Sequence, residues 1–464
     1  MRFSPRRAAD ALGVSPVGPS DLLDLELHGV SFDSRSLRPD QLFVPIVGDR
    51  DGHQFVRAAV ERGARAFLTA WPVEELDLGD LASDVVALPV PDTLQALLDL
   101  GRWGRREWAT RVPDATVVGI TGSVGKTSTK DLAAAALAPG ARTWVNERSF
   151  NNDQGLPTTI LGAPDDTQVM VLEMGMRGFG EIARLVEVAS PRIGVVTRVA
   201  EAHGERVGGI EGVARAKAEL LEGLPSDGTA ILNGDDPRVR AMAERTGARS
   251  VLYGTMADCD VRIEGIELDA LARASFTAVT WWGTFGVSLA VSGEHMVSNA
   301  AAALAVAGVL GHDLRLAADA LSGARLSSMR MEVGRLGGGA VLLNDAYNAN
   351  PTSMRAALDA LAALRATRRV AVLGVMAEIT DAEREHRAIA DRAAQLGVEL
   401  IAVGTDAYGV PPVDADEVVE RLGSVAGGDA VLVKASRAAG LERVAARIAE
   451  LGGGLVVEGH DVAS

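Results

Sequence analysis

Residues 117–128 read VVGITGSVGKTS: an apolar run breaks at Gly122, turns through Gly125 and continues as Lys126-Thr127-Ser128. No other feature of the chain constrains its fold as much. The run is apolar without alternation, so it is an interior strand, and a helix follows it directly. That order belongs to a parallel sheet covered by helices on both faces. The turn leaves backbone N–H groups facing an anion at the positive end of a helix dipole. Gly122 and Gly125 permit tight curvature and close approach of phosphate. Thr121, Ser123, Val124 and Ser128 complete the cradle, Lys126 brings charge, and Thr127 offers a hydroxyl to magnesium. The spacing is T-G-x-x-G-K-T, with Ile120 where the commoner G-x-x-x-x-G-K-T pattern has its first glycine. A nucleoside triphosphate is the expected ligand.

At 464 residues the chain is too long for one ordinary core, and two to four domains are expected. A hydrophobic share of 47% with 23% charged residues describes a globular protein. The net charge of −16 argues against a nucleic-acid partner, which calls for a basic stripe. It does not exclude small anionic substrates. A single cysteine, Cys259, leaves no internal disulfide and suits a reducing cytosol. No 18-residue apolar run and no signal-peptide core are found, so a cytoplasmic location is expected.

Strand-like runs at 41–47 and 66–70 and a helix over 92–108 make a first unit, closed by Pro113-Asp114. The central unit alternates strands at 116–121, 167–173, 193–199 and 229–233 with helical stretches. A β-rich patch over 251–291 reads as its antiparallel elaboration. A third unit, with strands at 341–344, 369–374, 400–404 and 430–433, reads as a smaller Rossmann-like domain. The boundaries fall at 1–111, 112–328 and 329–464.

In such sheets ligands gather at the carboxyl ends of strands. Glu173 ends one, placed either to bind magnesium beside Thr127 or to stand as a solvated acid. His203 follows the next, as a ligand or as a structural loop histidine. Lys217 is the sharper anomaly. On a helix over 209–223 it sits in a stripe with Ile210, Val213, Ala214, Leu220 and Leu221, while Glu211, Arg215, Glu219 and Glu222 face away. A lysine there is paired, neutral or modified, or else snorkels at the edge of the stripe. Asp345 follows another strand, suited to ribose hydroxyls, with Tyr347 suited to a base; Asn350-Pro351-Thr352 reads as a helix cap. Lys434-Ala435-Ser436-Arg437 repeats the strand-to-helix pattern and suits capture of a carboxylate.

Taken in order, these segments resemble the Mur ligase family almost end to end. They are FDSR at 32–35, LFV at 42–44, DGH at 51–53, the phosphate loop, FNNDQGLP at 150–157, EMG at 173–175, Ala202-His203, ARAK at 214–217, NGDDP at 233–237, DAYNANP at 345–351 and VKASR at 433–437. The resemblance implies a three-domain α/β protein: a UDP-sugar-binding first domain, a central phosphate-loop ATPase with a parallel sheet and a small antiparallel sheet, and a mobile Rossmann-like third domain. It implies an ATP-dependent amide ligase joining D-alanyl-D-alanine to UDP-N-acetylmuramoyl-tripeptide, acting as a monomer. Asp33, Ser34 and Arg35 would lie at the nucleotide-sugar end, and Asn151 and Asn152 near the peptide. Thr127 and Glu173 would hold one magnesium ion; Glu173, His203 and a carbamylated Lys217 would hold a second. Asn299 would reach the adenine, Asp345 the ribose and Arg330 the phosphates. Tyr347 and Asn348 belong to the same segment, and Lys434 and Ser436 would meet the incoming dipeptide.

Three segments depart from the family's pattern. His295-Met296 stands where it has His-Asn, Ser328-Met329-Arg330 where it has Pro-Gly-Arg, and GVMAEIT at 374–380 where it has Gly-Asp-Met-x-Glu-Leu-Gly. Two alternatives follow: a ligase of the same superfamily acting on another substrate, or a noncatalytic paralogue that binds nucleotide and UDP-sugar. Retention of Glu173, His203 and Lys217 argues against the second, and the FDSR-bearing first unit against a folate-type ligase.

Overall fold

The computed structural model describes residues 1–147, 150–200, 207–377, 379–453 and 455–457. Its strands form an α/β arrangement of four sheets among the described residues. A short antiparallel pair, Arg2–Phe3 with Leu27–His28, precedes a four-stranded parallel sheet of Val30–Ser31, Leu42–Phe43, Ala66–Thr69 and Val86–Pro89. The strand expected over 41–47 is thus short. Val44 still donates its N–H to the Ser31 carbonyl, but Pro45 has no N–H to continue the ladder. The helix expected over 92–108 runs Thr93–Arg111, started by Asp92, whose carboxylate accepts the N–H groups of Leu94 and Gln95.

The central sheet has nine strands. Thr116–Thr121 lies within it, with Ile193–Val196 on one side and Val169–Glu173 then Thr143–Val145 on the other, all parallel. Thr229–Asn233 and Arg249–Gly254 continue the parallel run beyond Ile193–Val196. The β-rich patch is not a separate sheet. Val261–Leu268 pairs parallel with Arg249–Gly254, and Arg273–Thr280 and Gly283–Ser292 then add on antiparallel. Strand order reverses beside Thr116–Thr121, because the chain next fills the Thr143–Val145 side and only later returns to Ile193–Val196. The phosphate loop opens into that crevice, where open α/β sheets bind ligands.

The third sheet runs Glu399–Ala402, Arg368–Leu373, Asp429–Lys434 and Val341–Asp345 in parallel, then Glu332–Leu336 and Leu455–Val457 antiparallel. These two antiparallel strands were not legible in the sequence: Glu332–Leu336 lacks a continuous apolar run, and the apolar run of Leu455–Val457 is only three residues long. The central sheet buries both faces. One face, through Val118 and Ile120 and the helices Lys126–Leu137 and Met296–Val309, shares a core with Leu343, Met354 and Leu358 of the third unit. The other, through Val117 and Met170, shares a core with Leu68 and Leu97 of the first.

Candidate active site

The loop is held by its neighbours rather than by itself. Gly122 has φ +154°, and a Cβ there would lie 1.9 Å from Thr197 Oγ1; Gly125 has φ +85°, and a Cβ would meet Asn299 Oδ1 at 2.6 Å. Thr197, just past the adjacent strand, donates its hydroxyl to the Val124 carbonyl at 2.6 Å. Ser123 donates its N–H to the Arg198 carbonyl and its hydroxyl to the Ala200 carbonyl. The NGDDP segment supports this clamp: Asn233 Nδ2 donates to the Thr197 carbonyl, and Asp236 Oδ2 accepts the Val199 N–H. Lys126 curls back, its Nζ 2.9 Å from the Gly122 carbonyl. Thr121 faces away from the loop, its hydroxyl spent on the Met174 carbonyl.

Glu173 ends the strand next to the loop and is 1% exposed. Its Oε2 accepts the Thr127 hydroxyl at 2.6 Å and its Oε1 the Asn151 amide at 2.7 Å. Its backbone N–H donates to Asn146 Oδ1 at 2.6 Å. Burial alone would raise its pKa. The charges of Lys126 and Arg330, with the Thr127 and Asn151 donors, outweigh that and hold the carboxyl below its usual range. Burial pushes the Lys126 ammonium down, against the pull of Glu173. The inward placement of Lys217 on the helix Gly209–Glu222 is borne out, at 4% exposure. Burial, with a smaller push from Lys126, drives its pKa well below the usual lysine value, which favours the neutral amine. Among the described residues no hydrogen bond or ion pair reaches that amine. A buried, ionised carboxylate beside a threonine hydroxyl is a hard-oxygen donor set of the kind magnesium takes. His203, expected to complete it, lies outside the described residues.

The third unit brings Arg330 to the same place. Its guanidinium lies 4.4 Å from the centre of the Tyr347 ring, and its charge is felt at both Lys126 and Glu173. Asp345 and Lys434, expected as separate ligand contacts, are partners: Lys434 Nζ lies 2.5 Å from Asp345 Oδ2 and 2.7 Å from the Asn348 carbonyl. Ser436 accepts the Ala377 N–H and donates to the Ala349 carbonyl, and both Lys434 and Ser436 are buried. Asn299 likewise meets Thr129 and Met296. Asn348 accepts the Ala349 N–H, and Asn152 that of Gly155.

One cavity of about 1070 Å³ collects residues 122–128 of the loop, Asn151, Asn152, Glu173, Lys217, Asn299, Arg330, Asp345, Tyr347, Asn348 and Lys434. Asp33, Ser34, Arg35, Thr121 and Ser436 do not line it. Asp33 instead closes a two-point ion pair with the exposed Arg35, and the first unit reaches the cavity through Leu94. Sequence reasoning missed Thr197, Asn146 and Lys130, which hold the site from behind. Among the described residues no helix is long and apolar enough to cross a membrane.

Comparison with known proteins agrees with this geometry. The Mur ligase middle domain model matches residues 120–307, and the model described as Mur ligase, glutamate ligase domain matches 329–460. The UDP-N-acetylmuramoyl-tripeptide–D-alanyl-D-alanine ligase of Mycobacterium tuberculosis is 40% identical over 93% of this chain and 94% of its own length. A crystal structure of MurF from Acinetobacter baumannii superposes with a TM-score of 0.84 at 26% identity, covering 97% of this chain and 99% of that one. The MurF ligase of Thermotoga maritima in complex with ADP gives 0.75 at 25% identity, covering 90% and 96%. The chain belongs to the Mur ligase family.

Proposed function

We propose that this chain is an ATP-dependent ligase joining D-alanyl-D-alanine to UDP-N-acetylmuramoyl-tripeptide in peptidoglycan precursor synthesis. The observation that carries the reading is the convergence of Lys126, the Thr127–Glu173 pair, Lys217 and Arg330 on one cavity, in a chain 40% identical to such a ligase. Its three domains are 1–111 for the UDP-sugar, 112–328 for ATP and a Rossmann-like 329–464. The separate sheets support those limits.

A carboxylate is a poor electrophile and must be activated. A tripeptide carboxylate oxygen attacks the γ-phosphorus of ATP, the bond to ADP breaks, and an acyl phosphate forms. The dipeptide amine then attacks the acyl carbon and loses a proton as phosphate leaves. Lys126 and Arg330 offset the crowded phosphate charge during the first step. Thr127 and Glu173 would hold one magnesium ion, a role their hydrogen bond and burial support; Glu173, His203 and a carbamylated Lys217 would hold a second. Bound magnesium would neutralise phosphate oxygens. The low basicity of buried Lys217 supports the carbamate, since only a neutral amine takes up carbon dioxide. The third unit lines the same cavity as the loop and would shield the acyl phosphate there from water. Asn151 and Asn152 border the peptide, while Asp33, Ser34 and Arg35 belong to the distant sugar-nucleotide end. Tyr347 and Asp345 face the nucleotide, Asp345 with its carboxylate steadied by Lys434. The protein works as a cytoplasmic monomer.

ADP release tests the reading. It is expected when both UDP-N-acetylmuramoyl-tripeptide and D-alanyl-D-alanine are supplied, and not with either alone or neither. Lys126→Ala is expected to abolish it. Release without the dipeptide, or near-normal release by the variant, would overturn the assignment.

A further inference from the structure

Lys130 and Asp131 lie one turn into the helix Lys126–Leu137, and neither lines the cavity. Lys130 is 1% exposed. An ammonium so deeply buried must be paired and hydrogen-bonded. Its Nζ donates to the Asn146 carbonyl at 2.8 Å and lies 3.2 Å from Asp131 Oδ1. Asn146, also 1% exposed, accepts the Glu173 N–H through Oδ1 at 2.6 Å and donates through Nδ2 to the Phe150 carbonyl at 2.5 Å. The next residue, Asn151, holds Glu173 Oε1. One lysine therefore fixes the residue that fixes Glu173 from its backbone, and the stretch that grips its carboxylate.

Asp131 faces another way. Its Oδ2 accepts the Ser327 N–H at 2.7 Å, at the start of the strap that carries Arg330. In that strap Met329 has φ +60° and Met331 φ +50°. Residues with a side chain are strained in this region, so the strap must be pinned from outside. Asp131 pins one end; Asp345 Oδ1, accepting the Met331 N–H at 3.1 Å, pins the other.

We propose that Lys130 and Asp131 are a positioning pair for the reaction: Lys130 aims Glu173 through Asn146, and Asp131 sets the strap and with it Arg330. The proposal rests on the reading of Glu173 as a magnesium-binding carboxylate. Two adjacent residues of one helix thus align a metal carboxylate from the central unit with an arginine from the third.

The test uses the full chain with ADP, and Mn²⁺ as the probe, its binding followed by electron paramagnetic resonance and folding by thermal melting. Lys130→Met is expected to raise the half-saturating Mn²⁺ concentration ~10-fold, as loss of an outer support of a metal ligand does. Lys130→Arg is expected to recover most of that loss. Asp131→Ala, which also removes the carboxylate beside Lys130, is expected to lower kcat and to raise the half-saturating Mn²⁺ concentration. Asp131→Asn, which keeps an acceptor for the Ser327 N–H, is expected to restore kcat. Wild-type kcat in a folded Asp131→Ala variant would overturn the role given to Asp131. Should Lys130→Met not fold, Asn146→Ala carries the same Mn²⁺ expectation. Wild-type Mn²⁺ binding in whichever of these two variants folds would overturn the proposal. Failure of both to fold would also overturn it, leaving these groups as core alone. Absence of any ADP-dependent Mn²⁺ binding by the wild type would instead overturn the metal reading beneath it.

Discussion

Glu173 is buried yet held below the usual carboxyl pKa, because Lys126, Arg330, Thr127 and Asn151 together outweigh desolvation. Lys217 is its opposite, a lysine whose charged form burial disfavours. Protein treated with ¹³C-bicarbonate is expected to show a carbamate carbonyl resonance that Lys217→Arg lacks, and Lys217→Ala should lower turnover by ~100-fold. No difference between wild type and Lys217→Arg would refute the carbamate. Both residues were legible in the sequence, Glu173 from its strand end and Lys217 from helical periodicity. The Asp345–Lys434 pair was not. Each follows a strand, and a linear pattern shows no more than that; only the parallel register, which sets Asp345 opposite Lys434, makes them partners.

At the scale of elements, the strand–turn–helix unit was readable because its glycines, lysine and threonine are adjacent in the chain. Its supports were not. Thr197 looks like any residue after an apolar strand, and Asn146 like any loop asparagine, until the sheet sets them beside the loop and Glu173. The one hint was glycine itself at position 122, where a side chain has no room. Gly122→Ala would drive a methyl group into Thr197 at a φ that disfavours it. It is expected to weaken ATP binding ~10-fold or more, a cost of about 1.4 kcal/mol, in a calorimetric titration. Unchanged affinity would show that the clamp is unimportant. Pro45 shows the same limit from another side, since the apolar run at 41–47 predicted a longer strand than a residue without an N–H permits.

Across the whole molecule, the central sheet buries one face against the first unit and the other against the third. That arrangement brings Arg330 and Tyr347 over a loop roughly two hundred residues earlier in the chain. The sequence supplied the three units and their order, but not this closure, which depends on packing between units. Asp33, Ser34 and Arg35, which the resemblance set at the nucleotide-sugar end, lie off the cavity. The central claim is that ATP activates a carboxylate as an acyl phosphate within that enclosure. Tripeptide substrate labelled with ¹⁸O in its terminal carboxylate, turned over with ATP and D-alanyl-D-alanine, tests it most directly by mass spectrometry of the released phosphate. One labelled oxygen per phosphate is expected; ligated product accompanied by unlabelled phosphate would contradict the account.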